Sequence, residues 1–350
     1  MTASTASRSH ELTVVEVITE TPDAVSLVLT AAHDARDQFT YQAGQFLTLR
    51  IPAHGGAVSR CYSLSSSPAA DEHLKVTVKR TAGGLASNWL CDHAEAGMTL
   101  ESLTPAGAFT VRPADSELVF VAAGSGITPV ISMIRAELLQ SGRRVTLVYA
   151  NRDRESVIFD AELAELLAAH ADRLTVAHWL ESESSLPTPA GLRSLLPSTP
   201  AADTAAYLCG PAAFMDVAAA ALHDAGVACE HVHREVFVSL TTDAFAAPEP
   251  ATRSAAASDA VTATVEIDGD THEISWPKSE VLLDTLLSRG IDAPYACREG
   301  NCGACAYTLR EGQVSMRIND TLDDYELGIG VRLACQSIPE SDYLTAVFDR

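Results

Sequence analysis

Cys297, Cys302 and Cys305 stand in the order C-x4-C-x2-C, and Cys335 follows on a later segment. Four thiolates at this spacing form the plant-type ligand set of a [2Fe–2S] cluster, a centre that exchanges one electron at a time. The run CREGNCGAC, 297–305, places small residues between the ligands, so the backbone can wrap closely and aim N–H groups at sulfur. Structural zinc, disulfides and free thiols are the alternatives. Zinc frameworks, however, usually bring their ligands in two short C-x2-C type pairs.

Three further clusters upstream carry chemistry by residue type. Arg60, Tyr62 and Ser63 close a β-rich run: the Arg can neutralise a pyrophosphate, the Tyr offers an aromatic face to a flavin ring, and the Ser hydroxyl can bond its N5 edge. A strand end with these residues is also ordinary protein surface. Gly83-Gly84-Leu85-Ala86-Ser87 leads into a helix start, where free N–H groups and the helix dipole attract anions; a capped hairpin turn reads the same way. Gly124-Ser125-Gly126-Ile127-Thr128-Pro129 follows the apolar run LVFVA, and its glycines permit close approach of a pyrophosphate at a strand-to-helix turn. It falls short of a full G-x-G-x-x-G fingerprint.

The elements that must position these residues come in three textures. Residues 9–114 hold short β runs such as AVSLVLT, FLTLRI and KVTVKR, which predict an antiparallel barrel. Over 115–240 strands and helices alternate, predicting a parallel α/β sheet of nucleotide-binding type. The stretch 241–260, rich in Ala, Pro, Ser and Thr, reads as a linker, with a flexible reach of about 25 Å. Residues 261–350 predict a small α+β unit around the four cysteines.

Hydrophobic residues make up 47% of the 350, which excludes a disordered chain, and the formal charge of −22 disfavours nucleic acid and anionic membrane as partners. With no apolar stretch long enough to span a bilayer and no leader pattern at the N-terminus, the expected location is the cytoplasm. Cys61, Cys91, Cys209 and Cys229 show no disulfide framework, which suits a reducing compartment. A monomer is expected.

In order, R-x-Y-S, G-G-x-x-S, G-x-G-x-T-P, Cys209-Gly210-Pro211 and Glu235-Val236-Phe237 resemble the ferredoxin-NADP reductase family, here extended by a C-terminal β-grasp ferredoxin domain. The resemblance implies FAD held by Arg60, Tyr62, Ser63, Thr77, Val78, Lys79, Gly84, Leu85, Ala86 and Ser87. It implies a nicotinamide dinucleotide facing Gly124, Gly126, Thr128, Pro129, Cys209, Gly210 and Pro211, with Phe237 covering the flavin. Ser63, Cys209 and Glu235 would then act in catalysis, Glu235 as a proton relay. The bland readings of Cys209, Glu235 and Phe237 are a buried hydrophobe, a surface acid and a core residue.

The three-part architecture resembles oxygenase reductases, and RCYSLSSSP, AAGSGITP, YANRDRESVIF and HVHREVFVSL resemble the reductases of 3-ketosteroid 9α-monooxygenases in particular. That implies electron flow from NADH through FAD and the cluster to a Rieske-type terminal oxygenase. FAD must stand between because a nicotinamide gives up two electrons as a hydride while the cluster takes one. The bases and acids of Asn151-Arg152-Asp153-Arg154-Glu155 leave NADPH open as donor. The oxygenase is expected to dock on an acidic face of the ferredoxin domain that includes Glu299, since 261–350 holds 7 Lys and Arg against 16 Asp and Glu. The alternatives are a reductase for another oxygenase, such as phenylacetyl-CoA epoxidase, and a flavin and iron–sulfur redox sensor.

Overall fold

The computed structural model describes residues 9–53, 56–112, 116–246, 260–322 and 324–348. Strands β1 (Ser9–Thr21), β2 (Ala24–Ala31), β3 (Phe46–Ala53), β4 (Gly56–Ser63), β5 (Leu74–Lys79) and β6 (Thr99–Leu103) form an antiparallel sheet in the order β4-β3-β6-β1-β2-β5. A bridge between Leu64 and Val76 brings the two outer strands together. Alternate side chains, among them Leu27, Leu29, Leu47, Leu49, Val76 and Val78, point inward to a core that helix α1 (Leu85–His93) covers with Ala86 and Leu90. This is the expected flavin-type barrel.

Strands β7 (Glu117–Ala123), β8 (Arg144–Asn151), β9 (Leu174–Leu180), β10 (Thr204–Cys209) and β11 (Val232–Glu235) form a wholly parallel sheet in the order β11-β10-β7-β8-β9. Helices α2 (Ile127–Gln140), α3 (Asp160–Ala169), α4 (Glu181–Ser184), α5 (Pro189–Arg193) and α6 (Ala212–Ala225) connect them. Two apolar clusters, one on each face, bury nearly every side chain of β7, which explains its unbroken hydrophobic run. The chain moves outward from β7 to β8 and β9, then returns to the other side of β7 as β10. Such a reversal opens a crevice at the carboxyl ends of the two central strands, where the turns after Ala123 and Cys209 lie.

Barrel and parallel sheet belong to one compact unit, Ser9–Pro105 with Phe109–Ser239. Ser132 Oγ donates to the Ser66 carbonyl at 2.5 Å, and Arg135 grips both Asp71 carboxylate oxygens at 2.6 and 2.8 Å. Burial works against ionisation of Asp71, but the bonds from Arg135 and from the Ser67 amide prevail and hold it below the usual carboxylate range.

The second unit runs from Leu240 onward and includes Ala106–Ala108. Strands β12 (Ala260–Ile267), β13 (Asp270–Pro277), β14 (Ala306–Glu311), β16 (Val331–Leu333) and β18 (Tyr343–Phe348) make a sheet in the order β13-β12-β18-β14-β16, with only β12 and β18 parallel. The small pair β15 (Val314–Met316) and β17 (Ser337–Pro339), helix α7 (Leu282–Ser288) and helix α8 (Asp324–Gly328) complete this β-grasp ferredoxin domain. Its core gathers Trp276, Leu282, Leu286, Tyr307, Cys305 and Cys335. Of the expected linker, 247–259 lie outside the described residues. Leu240 and Ala244 are buried.

Candidate functional site

A cleft of about 530 Å³ opens beside the barrel, lined by residues far apart in sequence. Strand β4 contributes Arg60, Cys61, Tyr62 and Ser63, β5 contributes Thr77 and Lys79, and the turn before α1 contributes Thr81 and Gly83 to Ser87. Ser125, Thr128 and the segment Phe237–Ser239 close it from the parallel-sheet side. This volume and mixed lining suit a bound cofactor.

Local chemistry explains each position. Thr77 and Lys79 face the cleft because they alternate with Val78, whose side chain turns into the barrel core. The Thr77 hydroxyl lies 2.7 Å from Ser26 Oγ and 2.8 Å from Ser65 Oγ, a buried hydroxyl chain that fixes the cleft floor. Lys79 stands 3.8 Å from Asp23. Burial pushes the Tyr62 phenol up, so it remains a neutral hydrogen-bonding ring. Ser87 Oγ accepts from the Thr81 amide at 3.2 Å, folding the Gly83-Gly84 turn so that the first turn of α1 faces the cleft. Those first N–H groups have no partner within the helix and favour an anion.

At the parallel sheet's crevice, Thr128 Oγ1 donates to the Ser125 carbonyl at 3.1 Å, and Tyr149 Oη donates to the Gly124 carbonyl at 3.0 Å. Pro129 lies in the first turn of α2, and Pro211 caps α6 after Gly210. Cys209 is fully buried at the end of β10 and pairs in register with Glu235 of β11. Burial, with Glu235 adding to it, pushes the Cys209 thiol far up. Burial pushes the carboxyl of the half-buried Glu235 up to about 8. Phe237 is 48% exposed on the cleft wall, a surface for a planar ring to cover.

Cys61, Thr81, Ser125, Val238 and Ser239 also line the cleft. Their sequence signal was adjacency alone, since each sits inside or beside a motif without being its distinctive letter.

In the second unit Cys297, Cys305 and Cys335 are buried and Cys302 is half-buried. Among the described residues no three His, Cys, Asp or Glu side chains surround a single ion position. The Cys297 thiol interacts with Cys302 and Cys335, and the Cys335 thiol with Cys305. Four thiols gathered in this way fit a binuclear group, whose two irons divide four ligands between them. The Glu299 amide donates to Cys297 Sγ, the Cys335 amide to Cys305 Sγ and Gln336 Nε2 to Cys335 Sγ, each at 3.4 Å. Contacts with Cys302 and Cys335 and the amides of Glu299 and Asn301 favour the thiolate of Cys297. Gly300 and Gly303 take φ of +83° and +69°, the left-handed turns by which the loop wraps.

Three domain families match in series: oxidoreductase FAD-binding at 11–111, oxidoreductase NAD-binding at 120–220, and 2Fe-2S iron-sulfur cluster binding at 265–340. A 3-ketosteroid-9-alpha-monooxygenase ferredoxin reductase component of Mycolicibacterium smegmatis is 50% identical over 97% of both chains. The chain belongs to the oxygenase ferredoxin-reductase family. This reductase is also 33% identical to a component of the 1,2-phenylacetyl-CoA epoxidase of Escherichia coli, over 97% of its own length and 98% of the relative's. Phthalate dioxygenase reductase shares its fold, with a TM-score of 0.57 at 24% identity over 97% of each chain. The reductase is therefore an oxidoreductase built of FAD-, NAD- and [2Fe–2S]-binding domains.

Proposed function

We propose that this reductase takes electrons from NADH and delivers them to the Rieske-type terminal oxygenase of a 3-ketosteroid 9α-hydroxylase. The observation that carries the reading is 50% identity along 97% of the chain to a reductase component of that system. The epoxidase relative, at 33%, supports the second reading, a reductase for another oxygenase. The proposed division is 9–114 for FAD, 115–240 for NADH and 261–350 for the cluster, in a cytoplasmic monomer. No helix of the described residues is long and apolar enough to cross a membrane.

In this reading Arg60 and the first N–H groups of α1 hold the FAD pyrophosphate, Tyr62 and Phe237 flank the ring, and Ser63 bonds its edge. Backbone at Thr77 to Lys79 and at Gly84 to Ser87 completes the cradle. Gly124, Gly126, Thr128, Pro129, Gly210 and Pro211 shape the nicotinamide crevice, against which Cys209 packs. Glu235, protonated near neutrality, holds a proton at its carboxyl within the site. Cys297, Cys302, Cys305 and Cys335 hold the cluster. When bound, FAD supplies the exchange between a two-electron donor and a one-electron acceptor.

NADH is favoured because both bases beside the strand end are already paired. Arg152 bonds Asp153 at 2.9 Å and Arg154 bonds Asp160 at 2.8 Å, so a 2′-phosphate would compete with carboxylates for them.

The docking face lies beside the cluster loop. The Asp320 amide donates to the Gly300 carbonyl at 3.2 Å, and the segment from there exposes Ile318, Tyr325 and Ile329 with Asp320 and Asp324. Acidic groups around apolar anchors fit a basic, partly apolar patch on the oxygenase. Glu299, expected on that face, has its carboxylate bound to Thr241 and Thr242.

Reconstitution with a purified 3-ketosteroid 9α-hydroxylase oxygenase tests the reading. NADH-driven hydroxylation of the steroid is the expected result. Failure of coupling there, with success on a phenylacetyl-CoA epoxidase oxygenase, would move the chain to the second reading.

A further inference from the structure

The segment that leaves the flavin-binding unit is fastened to the cluster loop by one carboxylate. Glu299 Oε1 accepts from the Thr241 amide and hydroxyl, both at 2.8 Å, and from the Thr242 amide and hydroxyl at 2.7 and 2.9 Å. Its neighbour Arg298 donates to the Ala246 carbonyl at 2.9 Å and to Asp284 at 2.5 Å, with its guanidinium 5.7 Å from the Tyr295 ring centre. Arg298 adopts φ +59°, rare for a residue with a Cβ, and Gln336 Nε2 bonds its carbonyl at 3.2 Å. Both residues sit between the ligands Cys297 and Cys302, and the Glu299 amide itself donates to Cys297 Sγ. Leu240 and Ala244, 6% and 0% exposed, anchor the same strap in the second unit. Charge-assisted bonds of this number hold a chain segment far better than surface contacts do.

We propose that Glu299 is a positioning residue of the reductase: it clamps the strap Leu240–Ala246 to the cluster loop, so that Ser239–Leu240 is the joint at which the chain last passes from the flavin-binding unit to the cluster unit. Ala246 and Ala260, which flank 247–259, belong to the same unit, so that stretch does not count in the sequence distance from flavin cleft to cluster loop. Phe237, Val238 and Ser239 line the cleft, and Thr241, two residues beyond, is bound by the ligand loop. At about 3.6 Å per residue the leash between Ser239 and Thr241 is about 7 Å, against about 25 Å for a free linker. The inference rests on the reading of that cleft as the flavin site.

The test uses the full-length holoprotein. Amide hydrogen exchange at Thr241 and Thr242 should become about tenfold faster in Glu299→Ala. Glu299→Gln, which keeps an acceptor oxygen, should restore most of the protection; equal exchange in all three proteins overturns the clamp. A Gly-Ser insertion within 247–259 should leave flavin-to-cluster electron transfer unchanged, whereas the same insertion between Ser239 and Leu240 should slow it several-fold, because effective concentration falls with leash length. Slowing by the first insertion, or indifference to the second, overturns the joint. The insertions leave Glu299 intact, so they decide the matter even if Glu299→Ala loses its cluster. Flavin bleaching by NADH, read in the same traces, lies upstream of the joint; its absence in the parent protein would refute the flavin reading instead.

Discussion

Gly126 packs directly on the carbonyl of Cys209: a Cβ built on Gly126 would stand 2.0 Å from that oxygen and 2.4 Å from its carbon. The turn after β7 and the end of β10 are thus in backbone contact across the switch point. Gly126→Ala must push the two strand ends apart, costing about 1–3 kcal/mol as overpacking. Thermal unfolding should shift down, and NADH should reduce the flavin far more slowly while FAD remains bound. Normal stopped-flow flavin reduction in this variant would count against the crevice as the nicotinamide site.

Arg60→Ala should weaken FAD. A lost charged hydrogen bond costs about 1.5–3 kcal/mol, roughly ten- to more than a hundredfold in affinity. Flavin fluorescence during dilution measures it, and unchanged affinity would remove Arg60 from the pyrophosphate site.

Cys335→Ser should bleach the cluster's visible absorption and stop delivery to the oxygenase. NADH should still reduce the flavin, since the cleft lies wholly within the first unit. Retention of a normal cluster spectrum and full delivery would remove Cys335 from the ligand set.

Asp153→Ala should raise the use of NADPH relative to NADH. It frees Arg152 from its carboxylate and removes a negative charge from the strand end, although it also breaks the capping bonds with Ser156. Steady-state kcat/KM for both coenzymes gives the answer; a ratio that does not move excludes this pair from coenzyme choice.

Glu235 makes stability depend on pH. Its folded carboxyl sits near 8, above the unfolded value of 4.5, so the native state holds a proton that the unfolded chain has released. Its contribution is therefore complete below pH 4.5 and lost as pH rises through about 8. Glu235→Gln should flatten the decline in melting temperature across that window. If the two proteins lose stability in parallel, the carboxyl is solvated and takes no part in holding a proton.

The motifs proposed to hold cofactors were legible because each is local. C-x4-C-x2-C, R-x-Y-S and G-x-G-x-T-P set ligand or turn geometry within a few residues, and alternation in AVSLVLT or the unbroken run LVFVA reported which faces are buried. The linker was harder to read. Composition alone marked 241–260 as a tether, yet Leu240 and Ala244 are buried and Thr241 and Thr242 are bound. The acidity of 261–350 was likewise visible, but the bonding of Glu299 to Thr241 and Thr242 was not.

The sequence by itself determined the order of the three domains, the spacing of the four cysteines and the glycine turns after β5 and β7, because these are local to one chain. Only the tertiary structure decided that Gly126 meets Cys209, that Thr77 rests on Ser26 and Ser65, and that Glu299 holds Thr241. Each of these joins residues distant in sequence, and a polar group's partner is set by which desolvated donor the fold leaves beside it.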